Sequence, residues 1–466
     1  MGKASTNAPR PRRMPQPTEN LAHSPSTTDH HRYRGPYPGD LLVTLLRDQR
    51  TAIAALDAVG GDLVEARLGR LATVFLVRHP SLVRQVLVDH NEAVTKARGL
   101  RLAEQILGRG LLTEEIPRHG RQRRLVLPAF HHARLRRYAR QMTEATAAET
   151  ATWSAAPFDV AASMTRLTLR IAGLTLFDAD VLASADRVSR AVDHALRAFD
   201  AAQFPFAERL LWLPLPAVRR SRRARAILDD LVYGLIAERR ADPAGREDLL
   251  TLLLDARDED SGEGMTDEEV RDEVVTLLLA GHETTATALT WTWSLLSDDP
   301  DVEARLHAEV DALATAPTIE DLGRLPYTRQ VVAESMRLRP PAWVVGRQAA
   351  EPFALGGVPI EAGATVLFAP YHLHRDPRFW DAPETVDPER FEPDARAERH
   401  KFAYLPFSAG RRGCIGEQFA WTELVLVLAT VARDWRLRRL GPPPRAHGSV
   451  TLRPVGPVRV RAERRP

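Results

Sequence analysis

Cys414 stands in Phe407-Ser408-Ala409-Gly410-Arg411-Arg412-Gly413-Cys414-Ile415-Gly416 and is the only cysteine of the chain. One cysteine cannot make an internal disulfide, a zinc-thiolate cage or a cysteine-ligated iron–sulfur cluster. One thiolate is still enough for the axial position of a haem. Gly410, Gly413 and Gly416 leave little side-chain bulk, so a flat macrocycle has room to approach the backbone. Glu417 to Leu426 reads as a helix, which places the sulfur near a helix N-terminus, where free N–H groups favour a thiolate. Arg412 has the right charge for a cofactor carboxylate. The residue types alone leave a second reading open, in which Cys414 is an inert buried side chain.

Ala280-Gly281-His282-Glu283-Thr284-Thr285 lies within a long helical pattern. A mid-helix glycine costs about 1 kcal/mol against alanine, and a threonine hydroxyl bonds back to the i−4 carbonyl and distorts the turn. Both predict a local opening, with Glu283 as a proton source beside it; an incidental polar patch on a core helix is the alternative. His282 reads as a structural histidine. Glu334 and Arg337 share a helix face at i,i+3 spacing, and Asp387-Pro388-Glu389-Arg390-Phe391 follows downstream. His119 and Arg123 lie one helical turn apart in a basic segment that also holds Arg118, Arg121 and Arg124, and Arg347 follows the Glu334–Arg337 helix.

The pattern F-x-x-G-x-R-x-C-x-G formed by Phe407, Gly410, Arg412, Cys414 and Gly416 resembles the haem loop of the cytochrome P-450 monooxygenases. Ala280-Gly281-His282-Glu283-Thr284 resembles the family's A-G-x-E-T oxygen-activation motif, and Glu334-x-x-Arg337 with Pro388-Glu389-Arg390-Phe391 its E-x-x-R and P-E-R-F elements. The resemblance covers about residues 39 to 460. It implies a triangular, mostly helical prism around haem b, with Cys414 as the iron ligand. His119, Arg123, Arg347 and Arg412 would hold the propionates, and Phe407 and Gly416 would complete the cofactor loop. Thr284 and Glu283 would deliver protons for O–O cleavage, while Glu334, Arg337 and Arg390 would form a structural charge cluster. An apolar substrate would meet Ala280, Val344, Val345 and Val450. The Trp343 and Val450 regions look similar to bacterial members acting on isoprenoids; fatty acids and polyketides are the alternatives. A haem-thiolate isomerase or peroxygenase and a haem sensor are rival classes, neither of which needs the Glu283–Thr284 pair. Lys96, Arg98 or Arg101 could anchor a fatty acid. A chain of 466 residues has no room for a fused flavin reductase. Electrons are therefore expected from NAD(P)H through a ferredoxin or flavodoxin and its reductase, with Arg118, Arg121, Arg123, Arg124 and Arg411 as a basic patch steering an acidic donor.

These residues need elements to hold them. Thr266 and Glu269 form a capping box that opens a helix predicted to run to Pro300. Further helices are expected over 327–338 and from Glu417 to about Arg433, a hairpin over 63–77, short strands within 353–368 and an extended stretch over 450–460. Residues 133–240 read as helical with a break near Pro205, Pro214 and Pro216, suited to a mobile helix pair. The fold class is mainly α with a small β part at both ends of the chain. Residues 1–38, rich in Pro, Ser, Thr and Arg, read as a disordered tail, and 39–466 as one catalytic domain. Sixty-four basic against sixty-one acidic residues give a net charge of +3, too little to imply nucleic acid. No apolar run reads as a transmembrane anchor, Arg12-Arg13 lacks the apolar stretch of an export signal, and a cytoplasmic setting is expected.

Overall fold

The computed structural model describes residues 27–36, 39–69, 71–178, 216–242, 246 and 248–465. The capping box forms: the Glu269 N–H donates to Thr266 Oγ1 at 3.2 Å and the Thr266 N–H to Glu269 Oε2 at 2.9 Å. The helix they open, Asp267–Leu296, has 30 residues and is about 45 Å long. It ends short of the expected Pro300, because Asp299 accepts the Val302 N–H and caps the next helix, Pro300–Asp311.

The long helix is buried on nearly every side, and it carries polar side chains such as Glu273, His282 and Glu283 into the interior. It packs on the helix Val160–Phe177 and crosses the helix Glu417–Asp434 that follows the cysteine. Leu289, Trp293, Leu424, Val427 and Leu428 are buried together there. Val160–Phe177 is by length and composition apolar enough to cross a membrane, a feature the sequence reading passed over. Two thirds of it (67%) is buried inside the protein, so core packing accounts for its hydrophobicity.

Six strands form the larger sheet: β1 (His30–Arg32), β2 (Leu63–Leu68), β3 (Ala72–Val77), β4 (Val94–Lys96), β5 (Val345–Ala349) and β6 (Thr365–Phe368), in the order β1-β2-β3-β6-β5-β4. The strand β1 corrects the reading of 1–38 as a tail throughout. His30 to Arg32 pair in parallel with Leu63 to Glu65, and Arg32 Nε reaches Glu65 Oε2 at 2.9 Å. A partner strand more than thirty positions away overrides weak local propensity. β5 was also missed. It sets Arg347 directly across from Lys96 on β4, so two cations become cross-strand neighbours. A separate hairpin, Ala446–Gly448 with Leu452–Pro454, lies near the chain end. Pro216–Ala241 is helical, while the proposed break near Pro205 and Pro214 lies outside the described residues.

Candidate active site

The cysteine loop is held by its own backbone. The Cys414 N–H donates to the Phe407 carbonyl at 3.0 Å and the Gly413 N–H to the Gly410 carbonyl at 3.0 Å. Gly410 has φ +73°, and a Cβ there would lie 2.1 Å from the Leu87 carbonyl oxygen. Its requirement is therefore conformational rather than clearance for a ligand. Phe407 lays its ring against Trp421 with centroids 5.7 Å apart. Arg123 Nη1 donates to the Gly413 carbonyl at 2.8 Å, which ties it to the loop. Cys414 is exposed, yet burial pushes its thiol up to about 11. Both hold when the sulfur faces a hollow inside the protein. The expected thiolate preference of a helix N-terminus is outweighed by burial.

Cations gather beside this loop. Arg347 and Lys96 are buried on facing strands, and His119 is buried on the helix Arg118–Val126. Burial, with Lys96, Arg412, Arg123 and Arg347 around it, pulls the His119 imidazole down to about 3, so it stays neutral. Burial also pulls Lys96 down to about 7, although its Nζ donates to the carbonyls of Leu111 at 2.8 Å and Glu114 at 2.7 Å. Arg412 is 5% exposed and pairs through Nη2 with Glu115 at 2.7 Å. Among the described residues its Nε and Nη1 are buried with no hydrogen-bond partner.

The long helix supplies the other wall. Ala280 is exposed and Thr284 half-buried in a helix whose neighbouring residues are buried, and a Cβ on Gly281 would meet nothing within 4 Å. These positions open on space, as the glycine suggested. The helix itself does not open, contrary to expectation. Thr284 and Thr285 donate back to the carbonyls of Ala280 at 2.6 Å and Gly281 at 3.0 Å, and the helix runs through. His282 is buried with Nδ1 2.8 Å from the Leu278 carbonyl, the structural role expected. Glu283 is also buried. Its Oε1 lies 2.5 Å from Arg453 Nε and accepts from Thr451 Oγ1 at 2.9 Å. Nothing in the sequence pointed to either partner. On the far side of the helix, Glu423 bonds Thr285, and burial pushes its carboxyl up to about 8. A lone acid inside the apolar run 421–429 was the available signal for it.

The cytochrome P450 family profile matches residues 34–459. The chain belongs to that family. It is 42% identical over 442 residues to cyclooctatin synthase of Streptomyces melanosporofaciens, covering 92% of this chain and 94% of that one. It is 39% identical over 416 residues to cyclooctat-9-en-7-ol 5-monooxygenase of the same species, covering 87% and 89%. It is 37% identical over 383 residues to pentalenene oxygenase of Streptomyces avermitilis, covering 81% and 84%.

The residues present fit the haem-thiolate centre of a cytochrome P450. A cysteine faces an internal hollow, and beside it Arg412 carries buried N–H groups unmatched among the described residues, in a cluster with Arg347, Lys96 and neutral His119. Cofactor carboxylates suit that surplus of donors and positive charge.

Behind the loop, Glu334 and Arg337 form a two-pronged pair, with Nε and Nη2 each 2.7 Å from a carboxylate oxygen. Arg337 also donates to the carbonyls of His374, Pro383 and Thr385. Glu334 accepts the Asp387 N–H at 2.8 Å, while Arg390 stands farther off at 3.7 Å. The basic patch is smaller than its sequence suggests. Arg118 and Arg121 pair with Glu269, Arg124 with Asp258 and Asp260, and Arg411 with Glu92. Each of these four charges has a local counter-charge, which shortens its reach.

The predicted substrate contacts are brought together in part. Trp343 Nε1 donates to the Ser449 carbonyl at 2.7 Å and the Leu452 N–H to the Pro341 carbonyl at 3.0 Å. The segment leading to Val344 and Val345 therefore adjoins the Val450 turn. Val344, Val345 and Val450 are half-buried. Lys96 and Arg101 are engaged elsewhere: Lys96 on the two carbonyls above, Arg101 on Thr95 and Gln348.

Proposed function

We propose that this cytochrome P450 monooxygenase, acting through a single catalytic domain, inserts one oxygen atom from O2 into an apolar terpenoid of secondary metabolism. The substrate class rests on apolar character: Ala280 is exposed and Val344, Val345 and Val450 are half-buried, and the nearby cations Lys96 and Arg101 are bonded to the protein itself. Two relatives support the reading: one is named for oxygenating pentalenene, the other for oxidising cyclooctat-9-en-7-ol. Binding then rests on burial of apolar surface, about 25 cal/mol per Å², with few polar contacts to set orientation.

Haem b, bound through Cys414, supplies the oxygen-activating redox chemistry. His119, Arg347 and Arg412 hold its propionates, with Arg123 bracing the loop from the Gly413 carbonyl and Phe407 and Gly416 shaping it. Thr284 presents a hydroxyl at the hollow, and Glu283, one residue before it, is the acid from which protons pass. Electrons come from NAD(P)H through a separate ferredoxin or flavodoxin and its reductase, in the cytoplasm. Loss of Thr284 should divert reducing equivalents to peroxide while haem and substrate still bind.

The test is a Soret titration with a cyclic terpene, a carotenoid and a long-chain fatty acid, followed by turnover under isotopically labelled O2. A terpenoid should shift the band and yield a product carrying one labelled oxygen. A shift from the fatty acid alone, abolished by Arg98→Ala or Arg101→Ala, would overturn the substrate class.

A further inference from the structure

The hairpin Ala446–Pro454 does more than border the hollow. Its turn is fastened from two sides by buried tryptophans. Trp291 on the long helix donates to the Leu452 carbonyl at 2.6 Å, and Trp343 to the Ser449 carbonyl at 2.7 Å. Gly448 lies flat on Trp343, where a Cβ would come 2.6 Å from the ring. Between these anchors two side chains leave the hairpin for one atom. Thr451 Oγ1 and Arg453 Nε both reach Glu283 Oε1, at 2.9 and 2.5 Å, and Arg453 Nε also donates to Thr451 Oγ1 at 3.2 Å. From the helix, Thr287 adds a long contact to the same oxygen at 3.4 Å. Val450, the half-buried residue assigned to the substrate wall, immediately precedes Thr451.

We infer that Thr451 and Arg453 are positioning residues for Glu283, and that they tie the seating of substrate at Val450 to the freedom of this carboxylate to deliver protons beside Thr284. The inference rests on the proton-delivery role proposed for Glu283. A carboxyl group held by a guanidinium and a hydroxyl is well ordered but slow to turn. It moves only if the hairpin moves, and the hairpin meets the substrate. Side-chain hydroxyl, guanidinium and carboxylate form one unit, so single changes should not act independently.

Three variants test this in the haem-loaded protein: Arg453→Met, which keeps the stem and removes the charge; Arg453→Lys, which keeps the charge; and Thr451→Val. Each is combined with Glu283→Gln. Thermal unfolding should give non-additive cycles for Arg453→Met and Thr451→Val with Glu283→Gln, a structural readout independent of turnover. In the second readout, the fraction of electrons lost to peroxide should rise several-fold in Arg453→Met, return most of the way in Arg453→Lys, and respond to Arg453→Met no further once Glu283 is Gln. The substrate-induced Soret shift should persist in all. Additive unfolding cycles would overturn the positioning role. Non-additive cycles with an unchanged peroxide fraction would reduce the unit to a structural tie and overturn the link to proton delivery. If Glu283→Gln alone left the peroxide fraction unmoved, the proton role of Glu283 would fail first, a result separate from the cycle.

Discussion

Arg337 and Arg412 are both buried arginines beside the same loop region, and their surroundings differ in one respect. Every arm of Arg337 ends on an acceptor: two bonds to Glu334 and one each to the carbonyls of His374, Pro383 and Thr385. Arg412 has one arm on Glu115, while its Nε and Nη1 meet no acceptor among the described residues. Buried donors are nearly always matched. A matched set is architecture; a set held short of partners awaits a ligand. Glu334 and Arg337 pair within one helical turn of sequence, and the carbonyls of His374, Pro383 and Thr385 complete the set from downstream. Arg412 instead shares its site with Lys96, His119 and Arg347, which come from three other elements.

The largest expected effect breaks the saturated member. Arg337→Met leaves Glu334 a buried charge without its guanidinium, at a cost of about 3–5 kcal/mol. Set against a total stability of about 5–15 kcal/mol, this should lower the urea midpoint sharply or prevent isolation of the folded enzyme. A midpoint equal to that of the parent would erase the distinction between the two arginines.

Arg412→Met sharpens the contrast. Removing an under-compensated buried cation should leave the unfolding of haem-free protein unchanged or slightly improved. Haem transfer to an acceptor protein should accelerate roughly 10-fold or more, the value of a charged hydrogen bond of about 1.5–3 kcal/mol. Unchanged haem retention with a less stable haem-free protein would make Arg412 a second structural arginine.

Glu423 gives the smallest effect and a pH signature. Burial pushes its carboxyl up to about 8 from an ordinary 4.5. The folded state therefore binds the proton more tightly than the unfolded one. This contribution is fully present below about pH 4.5 and is lost as the pH rises through 8. Glu423→Gln should flatten the stability curve between those limits. An unaltered slope would place the buried acid's proton elsewhere.

The motifs on single helices and one loop were legible because their partners lie within a turn or two, where spacing dictates geometry: the Thr266–Glu269 box, Glu334 with Arg337, and Thr284 bonding back to Ala280. The helix ends were read to within a few residues for the same reason. The strand His30–Arg32 was hidden, since its stability comes from a remote neighbour and not from its own composition. The apparent basic patch was misjudged in the same way. Its arginines lie close together in sequence, but their counter-charges, Asp258, Asp260 and Glu269, arrive from another segment.

The sequence by itself determined the cysteine, the glycine turn before it, the acid–threonine pair and the buried Glu–Arg lock. Only the tertiary structure decided what each charge meets: Lys96 across from Arg347, Arg412 short of acceptors, and Glu283 held by Thr451 from 168 positions away. The reason is physical. Local spacing specifies which groups lie on one face. The burial and pairing of a charge depend on which distant backbone the fold brings against that face, and water, the alternative partner, is excluded only once the core has formed.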